Sequence, residues 1–309
     1  WAVDWKGSLA VLEDPIQSMF LGAVPMALAT IVNGFVLIGP HIFGAVSLRI
    51  GFALWVFTVL MAVGSGILVP FYMFVSQDHR LDRITGLWLM PIVPAEVAAA
   101  SGSLLMPYFI GTPNAMSMMI INLGLWALSV PLSFLILGFL FLRLALHKLP
   151  AKEMAISTWI SLGTLGTGIM GLMGLSKYMP DVFGSLGHAM AGGAILLACV
   201  FWGLGLWWFT QSILITLYYS YSHEGLPFNL GWWGLTFPLG VFTGGTDDLF
   251  SQLHAAIIGD FAKAFFVLLV LFWGMVFVRT FHGLWTGSLW PNKTVSHNAP
   301  VQAKSSLAP

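Results

Sequence analysis

The chain alternates between long apolar stretches and short polar ones. Runs of about 20 predominantly apolar residues, enough to cross about 30 Å of hydrocarbon, fall near 17–39, 50–76, 85–110, 115–143, 155–176, 186–218, 229–252 and 257–281. Eight helical spans are predicted, and they are of two kinds. The first, third, fifth and seventh carry "GAVPMALATIVNG", "PIVPAEVAAASGS", "ISLGTLGTGIMG" and "LTFPLGVFTGGT", rich in Gly, Ala, Ser and Thr and mostly interrupted by proline. Their partners, such as "FLILGFLFLRLAL" and "LLVLFWGMVFV", are bulky and apolar. Pro25 to Pro94 is 69 positions and Pro94 to Pro238 is 144, so a helical hairpin of about 70 residues repeats along the chain. Small residues let helices approach closely, and a carbonyl freed by proline at membrane depth needs protein or a water-filled cavity to satisfy it. The interrupted helices are therefore expected to form an inner ring around a pathway. Tight bundle packing is the alternative for any one of them; strict alternation over four favours the ring.

Composition supports this assignment and narrows the partners. Hydrophobic residues make up 58% and charged residues 8% of the 309, with mean hydropathy +0.89, whereas soluble domains carry about 25% charged residues. The fold class is an all-α polytopic membrane protein. Twelve basic residues balance twelve acidic ones, so no nucleic-acid partner is expected. With eight spans both termini share a side, which collects Lys6, Arg80, Arg83, Arg143, Lys148, Lys152, Arg279, Lys293 and Lys304. Arg49, Lys177 and Lys263 fall on the other. Cytosolic segments are enriched in Lys and Arg, so both termini are expected in the cytosol and the protein in the plasma membrane. Residues 1–282 then form a single transmembrane domain and 283–309 a polar cytosolic tail, in which the Asn292-Lys-Thr triplet is not read as a glycosylation site. The sequence opens at Trp1 without a signal peptide and is expected to begin inside a longer chain.

Glu96 is the outstanding polar residue. It lies eleven residues into its span, roughly 16 Å deep at 1.5 Å per residue, where an ionised carboxylate costs about 2.5–3.5 kcal/mol. The cost falls if the acid is protonated or faces water. One reading is a neutral acid bonded to a carbonyl freed by Pro91 or Pro94; the other is a pathway carboxyl that gates or carries a proton. Thr30, Asn33, Ser101, Ser103, Thr164, Thr167, Thr236 and Thr243 are spread over the four interrupted helices. Each alone can bond back to its own helix, and together they favour a polar lining. Asp247, Asp248 and Asp260 are expected as solvated groups near the extracellular mouth.

Other chemistries lack their residues. Cys199 is the single cysteine, expected as a buried small residue, so no disulfide or cysteine-based metal site arises. The histidines His41, His79, His147, His188, His223, His254 and His282 fall at span ends or loops and His297 in the tail, unlike the facing axial ligands of a membrane haem. No HExxH, phosphate loop or nucleophile elbow is present. No enzyme, metal or cofactor is expected.

The stretches "DPIQSMFLGAVPMALATIVNG", "WLMPIVPAEVAAASG" and "FNLGWWGLTFPLGVFTGGT" resemble the tellurite-resistance/dicarboxylate transporter family, which includes malate permeases, sulfite exporters and slow anion channels. The resemblance covers most of residues 13–282. It implies five hairpins around a central pore, of which the eight spans here match the last four, so that a first hairpin is expected upstream. It also implies a homotrimer with one pore per protomer, and gives Phe237 in "WWGLTFP" the role of a plug; from the residue alone, ordinary helix packing is the alternative. Glu96 departs from the small apolar residues that channel-like members carry there. The implied function is passive or proton-linked movement of a small weak-acid anion, a C4-dicarboxylate such as malate or an inorganic anion such as sulfite. A membrane scaffold or receptor with a closed cleft is the alternative.

Overall fold

A computed structural model describes residues 10–222 and 225–289. Lys6, His223, the Asn292 triplet, Lys293, His297, Lys304 and most of the proposed tail lie outside them. The described residues form eight main helices: α1 (Ala23–Leu37), α2 (Val46–Val75), α3 (Pro94–Leu105), α4 (Ala115–His147), α5 (Ile160–Ser176), α6 (Ser185–Ser220), α7 (Thr236–Leu253) and α8 (Ala256–Trp285). One-turn helices at Gly39–Phe43 and Met179–Phe183 cap two of the hairpins. The last helix runs three residues past the domain end placed at 282.

The proline interruptions take a specific form. Each odd-numbered helix is preceded by a 3-10 segment: Ser18–Gly22, Gly86–Leu89, Lys152–Trp159 and Leu230–Leu235. Pro25, Pro94 and Pro238 all lie within the first three residues of their α-helices, where a missing N–H costs little. The break is thus a change of helix type at the start of the α-helix rather than a kink within one. Glycine lets successive 3-10 segments touch backbone to backbone. A Cβ on Gly86 would meet the Ser157 carbonyl oxygen, and one on Gly22 the Met90 carbonyl oxygen.

Six of the eight segments are long and apolar enough to cross a membrane. The two that fall short are the third and seventh predicted spans, Gly86–Leu105 being interrupted at residues 90–93 and α7 carrying Thr, Gly and a pair of aspartates. The segment leading into α5 is 89% buried over its most apolar stretch, against 17% to 33% for the other five, which makes α5 the central helix. It packs on α7, α6, α3 and α4. A Cβ on Gly166 would lie 2.4 Å from the Phe242 amide nitrogen, so α5 and α7 meet with backbones in contact.

The even helices form the outer layer and reach inward through indole N–H groups. Trp55 on α2 donates to the Ala98 carbonyl at 2.9 Å, Trp126 on α4 to Gly168 at 3.0 Å, and Trp208 on α6 to Thr158 at 2.9 Å. Their outward faces carry exposed Phe57, Phe71, Phe141, Leu196 and Phe266. Cys199 lies in this layer and is half-buried, less enclosed than its apolar neighbourhood predicts because α6 turns much of its surface outward. The described histidines stand at helix ends or in loops, as their positions in the sequence indicate.

Candidate functional site

The 3-10 segments and the first turns of the odd helices enclose a cavity of about 560 Å³. Ala23 and Met26 open α1, Val93 caps α3, Ile160 and Gly163 open α5, and Phe237 and Pro238 open α7; all line it. Four helix N-termini therefore converge on one space. Among the described residues Glu153 is the only charged side chain in its wall, and no Lys, Arg or His lines it. The N–H groups that open these α-helices are bonded to the turns before them, so the positive helix ends lie where the 3-10 segments begin, near Leu87, Glu153 and Leu230 in the cavity wall; their dipoles favour an anion there, against the charge of Glu153.

Phe237 is held by its own motif. Trp232 donates its indole N–H to the Pro227 carbonyl at 3.0 Å, Trp233 to Thr280 Oγ1 at 3.2 Å, and Thr236 Oγ1 to the Trp233 carbonyl at 2.8 Å. These bonds fix the 3-10 turn and the start of α7, on which the phenylalanine is the second residue. Phe237 lines the cavity and also borders a shallow groove on the outer surface between α7 and α8, where Val270 and Trp273 are half exposed.

One turn deeper lies a fully buried polar pair. Val93 and Gly163 line the cavity; Glu96 is three residues past the first and Thr167 four past the second, about 5.4 Å farther along. Thr167 Oγ1 stands 2.8 Å from Glu96 Oε1 and also 2.8 Å from the Gly163 carbonyl oxygen. A hydroxyl has one hydrogen. If it goes to the carbonyl, the contact with Glu96 is satisfied when the carboxyl supplies its own proton. If it goes to Glu96, an ionised carboxylate is left with one hydrogen bond and no cation in contact. The Thr164 hydroxyl also stands beside the Glu96 carboxyl, though neither it nor Glu96 Oε2 has a partner in full hydrogen-bond geometry. The partner of Glu96 is a side chain on the next repeat, not a carbonyl freed by Pro91 or Pro94.

The other hydroxyls are dispersed. Thr30 lines the cavity and bonds back to the Met26 carbonyl. Thr236 lines the surface groove between α7 and α8, and Thr243 is buried and bonds back to Leu239. Ser101 is buried beyond Glu96 on α3, and Asn33 half-buried beyond Thr30 on α1; the Ser101 hydroxyl and the Asn33 amide oxygen lack protein partners. Ser103 bonds back to Ala100. Asp260 is exposed beside Lys263, as expected, whereas Asp248 pairs with Lys177 at 3.3 Å, a contact between α5 and α7 that charge counting missed.

A family described as "Voltage-dependent anion channel" (SLAC1) matches residues 1–281. The chain belongs to this anion channel family. Among curated relatives, a sulfite efflux pump SSU1 of Arthroderma otae is 33% identical over 88% of this chain and 73% of its own length, and the same holds for one of Trichophyton rubrum. An uncharacterised transporter of Methanocaldococcus jannaschii is 29% identical over 95% of this chain and 83% of its own length. No solved structure matches. Family membership agrees with the resemblance drawn from the three quoted stretches, and an anion-transport role in a membrane follows at that level.

Proposed function

We propose that this member of the anion channel family moves sulfite or hydrogen sulfite across the plasma membrane, with Phe237 as the gate and the Glu96–Thr167 pair as a proton-linked element. The observation that carries the reading is the convergence of four helix starts, each with its 3-10 turn, on a cavity that has no basic side chain among the described residues. Such a site attracts a small anion and releases it easily, as conduction requires. The printed function of the fungal relatives favours sulfite over a C4-dicarboxylate such as malate. The two interrupted segments complete eight crossings, and the cavity side, where Arg80, Arg83, Arg143, Lys148, Lys152 and Arg279 gather, is cytosolic by the excess of positive charge.

Sulfite flux into liposomes carrying the purified protein tests the reading. Protein-dependent flux that saturates with sulfite is the expected result. Absence of flux for sulfite, malate and nitrate in correctly folded protein would leave a scaffold or receptor as the better account.

A further inference from the structure

The cavity wall spends most of its hydrogen-bond donors on the protein itself. Among the described residues the side chains in it that can donate are those of Thr30, Ser157, Asn229 and Trp233. The Thr30 hydroxyl donates to the Met26 carbonyl at 3.2 Å and the Ser157 hydroxyl to the Met154 carbonyl at 2.6 Å. The Asn229 amide donates to the Glu153 carbonyl at 3.3 Å, and the Trp233 indole N–H to Thr280 Oγ1 at 3.2 Å. A hydroxyl or an indole has one hydrogen and an amide two, so these side chains keep a single N–H, on Asn229, to offer an ion. An anion that enters gives up water which the wall does not replace. In a Born description that cost grows with the square of the charge, so it is about four times heavier for a dianion than for a monoanion of like size.

Glu153 adds a charge to this wall. At or just before the start of each of the other three 3-10 segments, a side chain is bonded to the backbone. Asp14 Oδ1 accepts from the N–H groups of Ile16 and Gln17 at 2.8 Å, Thr85 Oγ1 from that of Leu87 at 3.4 Å, and Asn229 Oδ1 from that of Gly231 at 2.8 Å. Glu153 stands in the first turn of its own segment, which has no such cap bond, and it is exposed. The helix dipole accounts for an acid at this place, but not for one left unbonded in the wall of a cavity suited to anions. Its neighbour Lys152 does not line the cavity. Glu96 lies one turn beyond, so an anion that passes the first carboxyl group next approaches a second.

We propose that Glu153 selects the valence of the transported anion, admitting monoanions such as hydrogen sulfite and holding back dianions such as sulfite. The inference rests on the transport reading above and names its ionic species. Repulsion by the carboxylate is proportional to the charge of the anion, so it opposes a dianion twice as strongly as a monoanion at the same place. The scarcity of free donors in the wall acts in the same direction. Rejection by a repulsive group needs no tight binding of the accepted ion, so the site can discriminate and still release its substrate readily. Hydrogen sulfite and sulfite differ by one proton, and such a filter passes the protonated member of the pair.

Nitrate and sulfate, whose charges do not titrate near neutral pH, separate valence from protonation. Their fluxes are measured at one pH in liposomes carrying the purified protein, with sulfite flux as the check on the transport reading. The unaltered protein should carry nitrate faster than sulfate by about tenfold or more. Glu153→Gln removes the charge at constant size. For a carboxylate roughly 8 Å from the ion in a wet mouth, nitrate flux should rise about twofold and sulfate flux about fourfold, the square of the first. Glu153→Asp, which keeps the charge, should hold the sulfate-to-nitrate ratio low, and Glu153→Lys should raise it beyond that of the glutamine variant. Equal factors for the two ions in Glu153→Gln, no change in either, or sulfate flux that stays absent overturns the inference and leaves the transport reading standing. So does sulfate carried as fast as nitrate by the unaltered protein, or sulfite flux without nitrate flux, since the site would then read chemistry rather than charge. Absence of flux for all three ions in the unaltered protein overturns both.

Discussion

Glu96 and Thr167 are 71 residues apart in sequence and joined by a 2.8 Å hydrogen bond. The separation is one hairpin repeat, so adjacent parallel helices meet at equivalent positions and a hydroxyl on one faces a carboxyl on the other. The pair lies just beyond the cavity, with no counter-ion in contact among the described residues; on the proposed reading its proton sets whether the pathway carries a negative charge at this depth.

Flux of nitrate, whose own charge does not titrate, should therefore rise as pH falls, because protonation of Glu96 removes a charge that opposes the anion in a low-dielectric passage. Glu96→Gln fixes the neutral form. It should stay active and lose most of the dependence, keeping high flux at alkaline pH. An unchanged profile in an active Glu96→Gln protein would return the residue to a packing role.

Phe237→Ala should raise flux several-fold, since on the proposed reading the ring is the plug of the cavity that it lines and its loss widens the passage. Uptake by equal amounts of inserted protein checks this. Flux equal to or below that of the unaltered protein would remove the gate assignment.

Gly166→Ala should destabilise the fold by about 1–3 kcal/mol, the usual cost of overpacking a filled core, because its methyl meets the Phe242 backbone at 2.4 Å. Thermal unfolding in detergent measures this. Gly138→Ala, where a Cβ meets nothing within 4 Å, should be neutral or mildly stabilising.

At the cavity side, Arg143 donates to the Asp82 carbonyl at 3.1 Å and to the Lys148 carbonyl at 2.8 Å. It thereby ties two loops to the end of α4 and holds Lys148 at φ 64 and ψ −164, a conformation natural only to glycine. Lys148→Gly should relieve about 1–3 kcal/mol of strain and raise the unfolding temperature. Arg143→Lys loses the two-pronged geometry and should lower it.

A trimer assembled through the apolar outer faces of the even helices is expected for the assembled protein. Native mass spectrometry in mild detergent distinguishes this from a monomer or dimer.

Much of the frame was legible because bilayer thickness fixes helix length and the repeat shows in Pro25, Pro94 and Pro238. What those prolines do was less visible: they start α-helices after 3-10 turns, and a proline reads alike as a break or as a first-turn residue. The centrality of α5 was also hidden, since its segment has no proline at the junction and its Thr164, Gly166 and Thr167 look like generic small residues. Glu96 stood out by cost alone. Its partner did not, because contacts 71 residues apart are set by how hairpins pack, which apolar periodicity leaves open.

The ion pair Lys177–Asp248 spans the same 71 residues as the buried pair. Two pairs with the same offset mean that each inner helix behaves as a copy of the last, with its rungs at matching heights. Depth in the bilayer is then inherited from the duplicated unit, while chemistry is decided rung by rung. A functional group can move sideways from one copy to the next and remain at its level, which gives such a scaffold a route to new selectivity that leaves its architecture untouched.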